Sequence, residues 1–344
     1  MSKKNNAYDR TEAQALLNSA IPAAIMASAA THFDSAEDAS VFFARELDHV
    51  KAESYDVEYP EFTAINLFPN SSEADAGAET VTYYTYDKTG LAKVIDNYST
   101  DLPRADVNGK PSYARVKSLG ASYGYSSQEM RASRMAGKSL DSRKAEAARY
   151  QIDNLANRIA WAGDSESGLM GVLSEGQNIP LYAIGTGESG KTAWADKTPD
   201  EILNDINDMQ KQVARVTKNV EHPDTLCIPS DAFMDISTRR IPDTNVTVKT
   251  FLLANAPYLK NIVSASELDA DSVGTNPYAK TSGGQGVAFL FKNDKRKLTL
   301  ENPMPFMQYP LQIKGLETII PCEARTAGVI VYYPLSALIA VGVS

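Results

Sequence analysis

The chain has 344 residues and a mass of 37.4 kDa, one large domain or two moderate ones at about 100–200 residues per domain, and its 43% hydrophobic and 22% charged residues with 20 Gly and 17 Pro exclude a collagen-like, coiled-coil or disordered chain. A formal net charge of −9 argues against a free-standing nucleic-acid binder, which needs clustered Lys and Arg to neutralise phosphates. Cys227 and Cys322 are the only cysteines and form no CxxC pair, so a disulfide framework and a thiolate zinc site are not expected; a reducing compartment and two buried apolar thiols are.

Residues 1–60 carry five basic and ten acidic residues and read as two helical stretches, around Glu12–Ser28 and Ser35–Glu53, with Val41, Phe42, Leu47 and Val50 on one stripe of the second. The apolar run 20–30 is short and Ala-rich, unlike a signal peptide core. Nothing approaches the ~18 apolar residues of a membrane span, so no membrane partner is expected and folding in the cytoplasm is.

Thr80–Tyr86 (TVTYYTY) is rich in β-branched and aromatic residues and reads as a strand. Leu119–Tyr125 alternates apolar and small residues, the period of a half-exposed strand. Between them lie Pro103, Asn108-Gly109 and Pro111; Asn-Gly is the strongest short hairpin signal, and the prolines keep the arms out of a sheet centre. The spacing predicts a long protruding hairpin over residues 79–125 with Asp106, Asn108, Gly109 and Lys110 at its tip. A loop that buries so little of itself is expected to meet a partner.

A short helix is expected near Gln128–Ala136. Over residues 140–163, Ala145, Ala148, Ile152, Leu155, Ile159 and Ala162 recur at three and four residues, the apolar face of a helix of more than five turns. From Glu129 to Arg158 there are seven basic residues against four acidic ones. Arg131, Arg134, Lys138, Arg143, Lys144, Arg149 and Arg158 therefore read either as a solvated face or as a face toward nucleic acid. Asp164 and Glu166 have the spacing of an acid and base pair, or they close the helix at Gly163.

Gly185-Thr186-Gly187-Glu188-Ser189-Gly190-Lys191-Thr192 matches the nucleotide-binding P-loop, whose mechanism needs a helix beginning at once, so that its amides, Lys191 and Thr192 converge on phosphates and Mg²⁺. Thr198-Pro199-Asp200-Glu201 instead predicts a helix start eight residues later, with Thr198 as N-cap and Glu201 closing a capping box. A flexible connector is the expected reading of Gly185, Gly190, Lys191 and Thr192, with a P-loop NTPase as the alternative of another class. His32, His49 and His222 are too scattered for a zinc site, and no Gly-x-Ser-x-Gly elbow is present. No catalytic residue, cofactor or metal is expected. Further strands are expected at Thr225–Ile228, Val287–Phe291, Leu298–Leu300, Leu311–Ile313, Glu317–Ile320, Gly328–Tyr332 and Leu335–Val341, and a short helix after Ser230-Asp231.

The order of these parts resembles the major capsid protein family of tailed bacteriophages, whose fold encapsulins share. The residues that carry it are Asp101-Leu102-Pro103, Tyr123–Glu129 (YGYSSQE), Ala147–Asp164 (AARYQIDNLANRIAWAGD), Gly168–Leu173 (GLMGVL), Asn302–Gly315 (NPMPFMQYPLQIKG) and Cys322–Pro334 (CEARTAGVIVYYP). The resemblance implies an α+β fold with an N-terminal arm (1–60), a peripheral domain with a long spine helix (61–78 and 126–197), an extended hairpin loop reaching over a neighbouring subunit (79–125), an axial domain (198–300) and return strands of the peripheral domain (301–344). It implies a non-enzymatic shell protein assembling into hexamers and pentamers of an icosahedral virion. Packaged double-stranded DNA would touch the basic helix face weakly, portal and scaffold or decoration proteins would be partners, and assembly would occur in the host cytoplasm. An encapsulin-type compartment is the alternative within the same fold.

Overall fold

A computed structural model of the chain describes residues 60–94, 102–136, 141–272, 274–278 and 286–344. The chain divides into two units, residues 1–61 and 62–344. The two helices expected in the acidic arm, and Lys138, lie outside the described residues.

A short helix α1 (Thr63–Leu67) and a two-residue strand β1 (Asn70–Ser71) lead into an antiparallel ribbon of β2 (Thr80–Gly90) and β3 (Ala105–Arg115). β4 (Lys117–Ser126), α2 (Ser127–Ala136) and the 22-residue α3 (Asp141–Ala162) follow. α2 opens on a reciprocal cap: the Ser126 hydroxyl accepts from the Glu129 N–H, and the Glu129 carboxylate accepts from the Ser126 N–H, each at 3.1 Å. Two N–H groups that the first turn leaves unpaired are thereby satisfied.

The stripe expected on α3 is its buried face, with Ala148, Ile152 and Ile159 out of solvent against β4 and the sheet beyond it. The helix stops at Gly163, whose φ of 76° is a left-handed conformation that glycine adopts without penalty. The chain then doubles back, and the N–H groups of Val172 and Leu173 donate to the carbonyls of Ala160 and Trp161, both at 2.9 Å, satisfying the helix end. Asp164 accepts from the Ser167 hydroxyl at 2.5 Å, a bond that holds its carboxyl below the usual range, so the Asp164–Glu166 segment forms the closing turn. Trp161 is fully buried here, with edge-on contacts to Phe68 and Phe289 at 5.1 and 6.5 Å.

The sequence-predicted cap of the next helix is present. Thr198 precedes α4 (Pro199–Val216), and its side chain and that of Glu201 close the box. Ile202, Ile206, Met209 and Val213 form the buried stripe. The sheet beneath it has the order β5 (Leu181–Ala183), β14 (Ala337–Val341), β8 (Val287–Phe291), β6 (Thr225–Ile228) and β7 (Asn261–Ser264). α5 (Ser230–Thr238) and α6 (Val248–Asn255) join α4 in covering it. β8 and β6 are buried along their whole length, which explains why VAFLF and TLCI do not alternate apolar and polar residues.

A second sheet pairs β12 (Glu317–Thr326) with β10 (Met304–Gln308), β11 (Gln312–Lys314) and all ten residues of β4. A third, of β1, β9 (Leu298–Glu301) and β13 (Gly328–Val331), links the two. Residues 301–344 were expected to return together to the peripheral domain. They divide: β10–β12 join β4, β13 pairs with β9, and β14 enters the five-stranded sheet, where Ala337–Ala340 are buried.

Candidate assembly surfaces

The expected hairpin exists, but its tip and its extent differ from the expectation. β2 and β3 pair without a break from Thr80↔Arg115 to Gly90↔Ala105, so Asn108 faces Asp87 and Gly109 faces Tyr86 in mid-strand. The connection lies between Gly90 and Ala105, and Asp106, Asn108, Gly109 and Lys110 are strand residues rather than a turn. The reason is local: a Cβ on Gly109 would lie 2.9 Å from Tyr86 Cε1, so the ring lies across the glycine and covers the gap that a side chain would fill. Pro111, opposite Tyr84, is tolerated because each strand of a two-stranded ribbon has a free edge. Leu119–Tyr125 belongs to β4, which pairs with β12 and is no arm of the hairpin.

Opposed residues of an antiparallel pair share a face and alternate residues change face, so the ribbon is two-sided. One side carries Tyr84, Tyr86, Tyr113, Pro111 and Val107, with the rings of Tyr84 and Tyr86 stacked at 6.4 Å. Tyr84, Tyr86 and Tyr113 are 60%, 68% and 71% exposed. The opposite side is polar toward its end, with Thr85, Lys110, Asp87, Asn108, Thr89 and Asp106. At the stem that polar side meets the body, where Tyr83 packs edge-on against Tyr332 at 5.0 Å and 89°. At the stem the aromatic side also meets the body, where Tyr113 and Arg115 line a pocket with Gly168, Met170 and Gln177; Tyr84, Tyr86 and Tyr113 nevertheless stay exposed.

The basic set separates into two groups. Lys144 donates to the Gly124 carbonyl at 2.9 Å, pairs with Glu129 at 3.1 Å and lies 4.4 Å from the Tyr125 ring centre. It ties α3 to β4 and the α2 cap, and with the Ser126 N–H it holds the Glu129 carboxyl below its ordinary range. Arg149 pairs with Asp153 at 3.5 Å and lies 6.0 Å from the Phe306 ring. Arg131, Arg134, Arg143 and Arg158 are exposed on α2 and α3, and the Nε of Arg131 donates to the Ser127 carbonyl.

The octapeptide Gly185–Thr192 forms an open loop between β5 and a short 3-10 turn at Trp194–Asp196. Gly190 N–H donates to the Gly187 carbonyl, Gly187 N–H to the Lys191 carbonyl, and Glu188 N–H to the Glu201 carboxylate at 2.7 Å. Amides that a phosphate cradle directs at its ligand are thus bonded within the protein, next to a carboxylate that the Thr198 and Glu188 N–H groups keep ionised. Lys191 pairs with Asp196 at 3.2 Å. Lys197, outside the octapeptide, is the buried lysine among the described residues: it meets Asp205 and the Gly185 carbonyl at 2.6 and 2.5 Å.

Two further apolar surfaces were not anticipated. The β11–β12 hairpin exposes Leu311, Ile313 and Leu316. A groove of about 580 Å³ lies between α3, the β1 segment and strands β4, β10 and β12, with Ala156, Phe306 and Ala324 over buried Leu119, Ile152 and Met304, and with Asn70, Ser71, Asn302, Arg149, Asp153 and Arg325 along it. No group of His, Cys, Asp and Glu among the described residues is arranged to hold a metal ion, and no helix among them is long and apolar enough to cross a membrane.

A family model described as major capsid protein matches residues 90–343. No curated protein matches the sequence. Among solved structures, the capsid of Myoviridae phage XM1 is 17% identical, with 89% of this chain and 100% of that chain covered and a TM-score of 0.74. A chain from Mycobacterium phage Bobi is 15% identical over 87% and 96%, with a TM-score of 0.58, and the capsid of a native GTA particle is 10% identical over 88% and 97%, with a TM-score of 0.62. At these identities the likeness is one of fold.

Proposed function

The chain belongs to the major capsid protein family, whose members are shell subunits, and on that premise we propose how this one builds its shell: rings of six and five copies close an icosahedral head around double-stranded DNA, each copy's ribbon clasping a neighbour. The observation that carries this reading is the aromatic side of the ribbon, whose Tyr84, Tyr86 and Tyr113 rings stay exposed on their own chain although apolar area gains about 25 cal/mol per Å² when it leaves water. Residues 198–300, with the five-stranded sheet, act as the axial domain at the ring centres, and α3 with the β4–β12 sheet as the peripheral domain. The subunit carries out no catalysis and uses no cofactor.

Arg131, Arg134, Arg143 and Arg158 face the packaged DNA and contact its backbone weakly, since an acidic chain lets a strip of a few cations lower repulsion without binding tightly. Portal and scaffold or decoration proteins complete the head, which assembles in the host cytoplasm. The test compares the full chain with a variant in which a short turn joins Tyr83 to Ser112, register partners in the ribbon. Light scattering and negative-stain microscopy are expected to show closed particles or rings for the first and a folded, unassembled chain for the second. Normal shells from the shortened variant would refute the clasp.

A further inference from the structure

Six residues join β8 to β9, and four of them are cations: Lys292, Lys295, Arg296 and Lys297. Lys292 pairs with Asp224 at 2.9 Å and Lys297 with Glu221. Lys295 and Arg296 are exposed and have no ion-pair partner among the described residues. Both line a cleft of about 530 Å³ between this loop, β1 and the stem of β2. We infer that the cleft binds an extended acidic segment of a separately made protein, with its carboxylates on Lys295 and Arg296 and its backbone along β1. The inference goes beyond the shell reading and does not depend on how copies clasp one another.

Three features select that ligand. The first is charge: in a chain of net charge −9 two adjacent cations face a single lining carboxylate, Glu73, and Lys297 lies 4.4 Å from the centre of the Tyr333 ring, which also lines the cleft. Carboxylates satisfy such donors through charge-assisted hydrogen bonds. A continuous polyanion fits less well, because the segment that follows β1 carries Glu73, Asp75 and Glu79 and repels it, whereas a peptide presents its carboxylates one at a time. The second is a strand edge. β1 is the outer strand of its sheet, and its other side pairs with no strand among the described residues, so an extended segment can add there through main-chain hydrogen bonds. The third is the lining: Ser71, Ser72 and Thr85 supply hydroxyls beside the exposed rings of Tyr84 and Tyr333. Small-molecule sites are mostly apolar, and permanent interfaces between copies are more hydrophobic than this. Charged, hydroxyl-lined walls suit a partner that is made separately and binds reversibly.

The test is fluorescence anisotropy of the full chain with a fluorescein-labelled peptide of alternating Glu and Val. The peptide is expected to bind, less tightly as salt rises, and the pair Lys295→Glu with Arg296→Glu is expected to weaken it by about tenfold or more. Lys260→Glu with Lys314→Glu, exposed elsewhere, makes the same change in net charge and is expected to leave binding unchanged. No binding, equal loss from both pairs, or no loss from the first overturns the site. A peptide with Pro in place of Val, which lacks the N–H groups to pair with a strand edge, is expected to bind less, and equal binding overturns the strand addition. Two competitors decide the class of ligand. Tighter binding through Lys295 and Arg296 of single-stranded DNA, or of a peptide of residues 34–58 of this chain, assigns the cleft to nucleic acid or to another copy and overturns the separate protein. The chain with Lys295→Glu and Arg296→Glu is expected to keep the parent's thermal midpoint and its particles in light scattering, so failure of the cleft leaves the shell reading standing; loss of those particles means a contact between copies and also overturns the separate partner.

Discussion

Tyr86 lies over Gly109, its cross-strand partner, so closely that a Cβ on the glycine would come within 2.9 Å of the ring. The ring's position on the aromatic side of the ribbon therefore depends on a hydrogen atom at residue 109. Gly109→Val displaces Tyr86 and breaks its stack with Tyr84 while touching nothing in the body. The expected outcome is a chain whose unfolding free energy stays within about 0.5 kcal/mol of the parent and whose assembly, followed by light scattering, is slower or incomplete.

Lys191 and Lys197 lie six residues apart and have opposite consequences. Lys191 is 65% exposed in its pair with Asp196, and exposed pairs contribute about 0–1 kcal/mol; Lys191→Ala is expected to leave stability and assembly unchanged. Lys197 is 1% exposed, and its loss strands Asp205, whose carboxyl burial already pushes above its ordinary range. Lys197→Ala is expected to cost about 3–5 kcal/mol in urea unfolding. The double change Lys197→Met with Asp205→Leu should recover much of that, because no charge is then left buried and unpaired.

Asp224 supplies the pH dependence. Burial raises its carboxyl, but the Asn293 N–H and Lys292, both at 2.9 Å, outweigh it and hold the group below its usual value. A carboxyl lowered in the native state stabilises the fold above the unfolded value, about pH 4, and loses that contribution as pH falls through the lower native one. Asp224→Asn is therefore expected to lower the urea midpoint at neutral pH, with the difference from the parent shrinking progressively as pH falls below about 4.

The two groups of basic residues separate in the same way. Lys144→Glu places a carboxylate against Glu129 and removes the tie to Gly124, so the thermal midpoint is expected to fall. Arg158→Glu on the exposed side of α3 is expected to leave the midpoint unchanged and to reduce the DNA retained in purified particles, with a stronger effect at low salt.

Local chemistry determined much of this chain by itself. The stripe of α3, the box at Thr198 and Glu201, and the buried apolar strands follow from periodicity and side-chain hydrogen bonding between residues a few positions apart, and they occur where those rules place them. The cap of α2 is equally legible in the spacing Ser126-x-x-Glu129. Asn108-Gly109 could not be resolved that way: the same dipeptide serves as a turn or as a mid-strand gap, and what decides is whether a ring from a partner strand more than twenty residues away covers it. The division of residues 301–344 among three sheets and the groove beside Arg325 likewise depend on which distant segments meet. Those contacts join residues far apart in the chain, and no local pattern encodes them; the tertiary structure alone decided them.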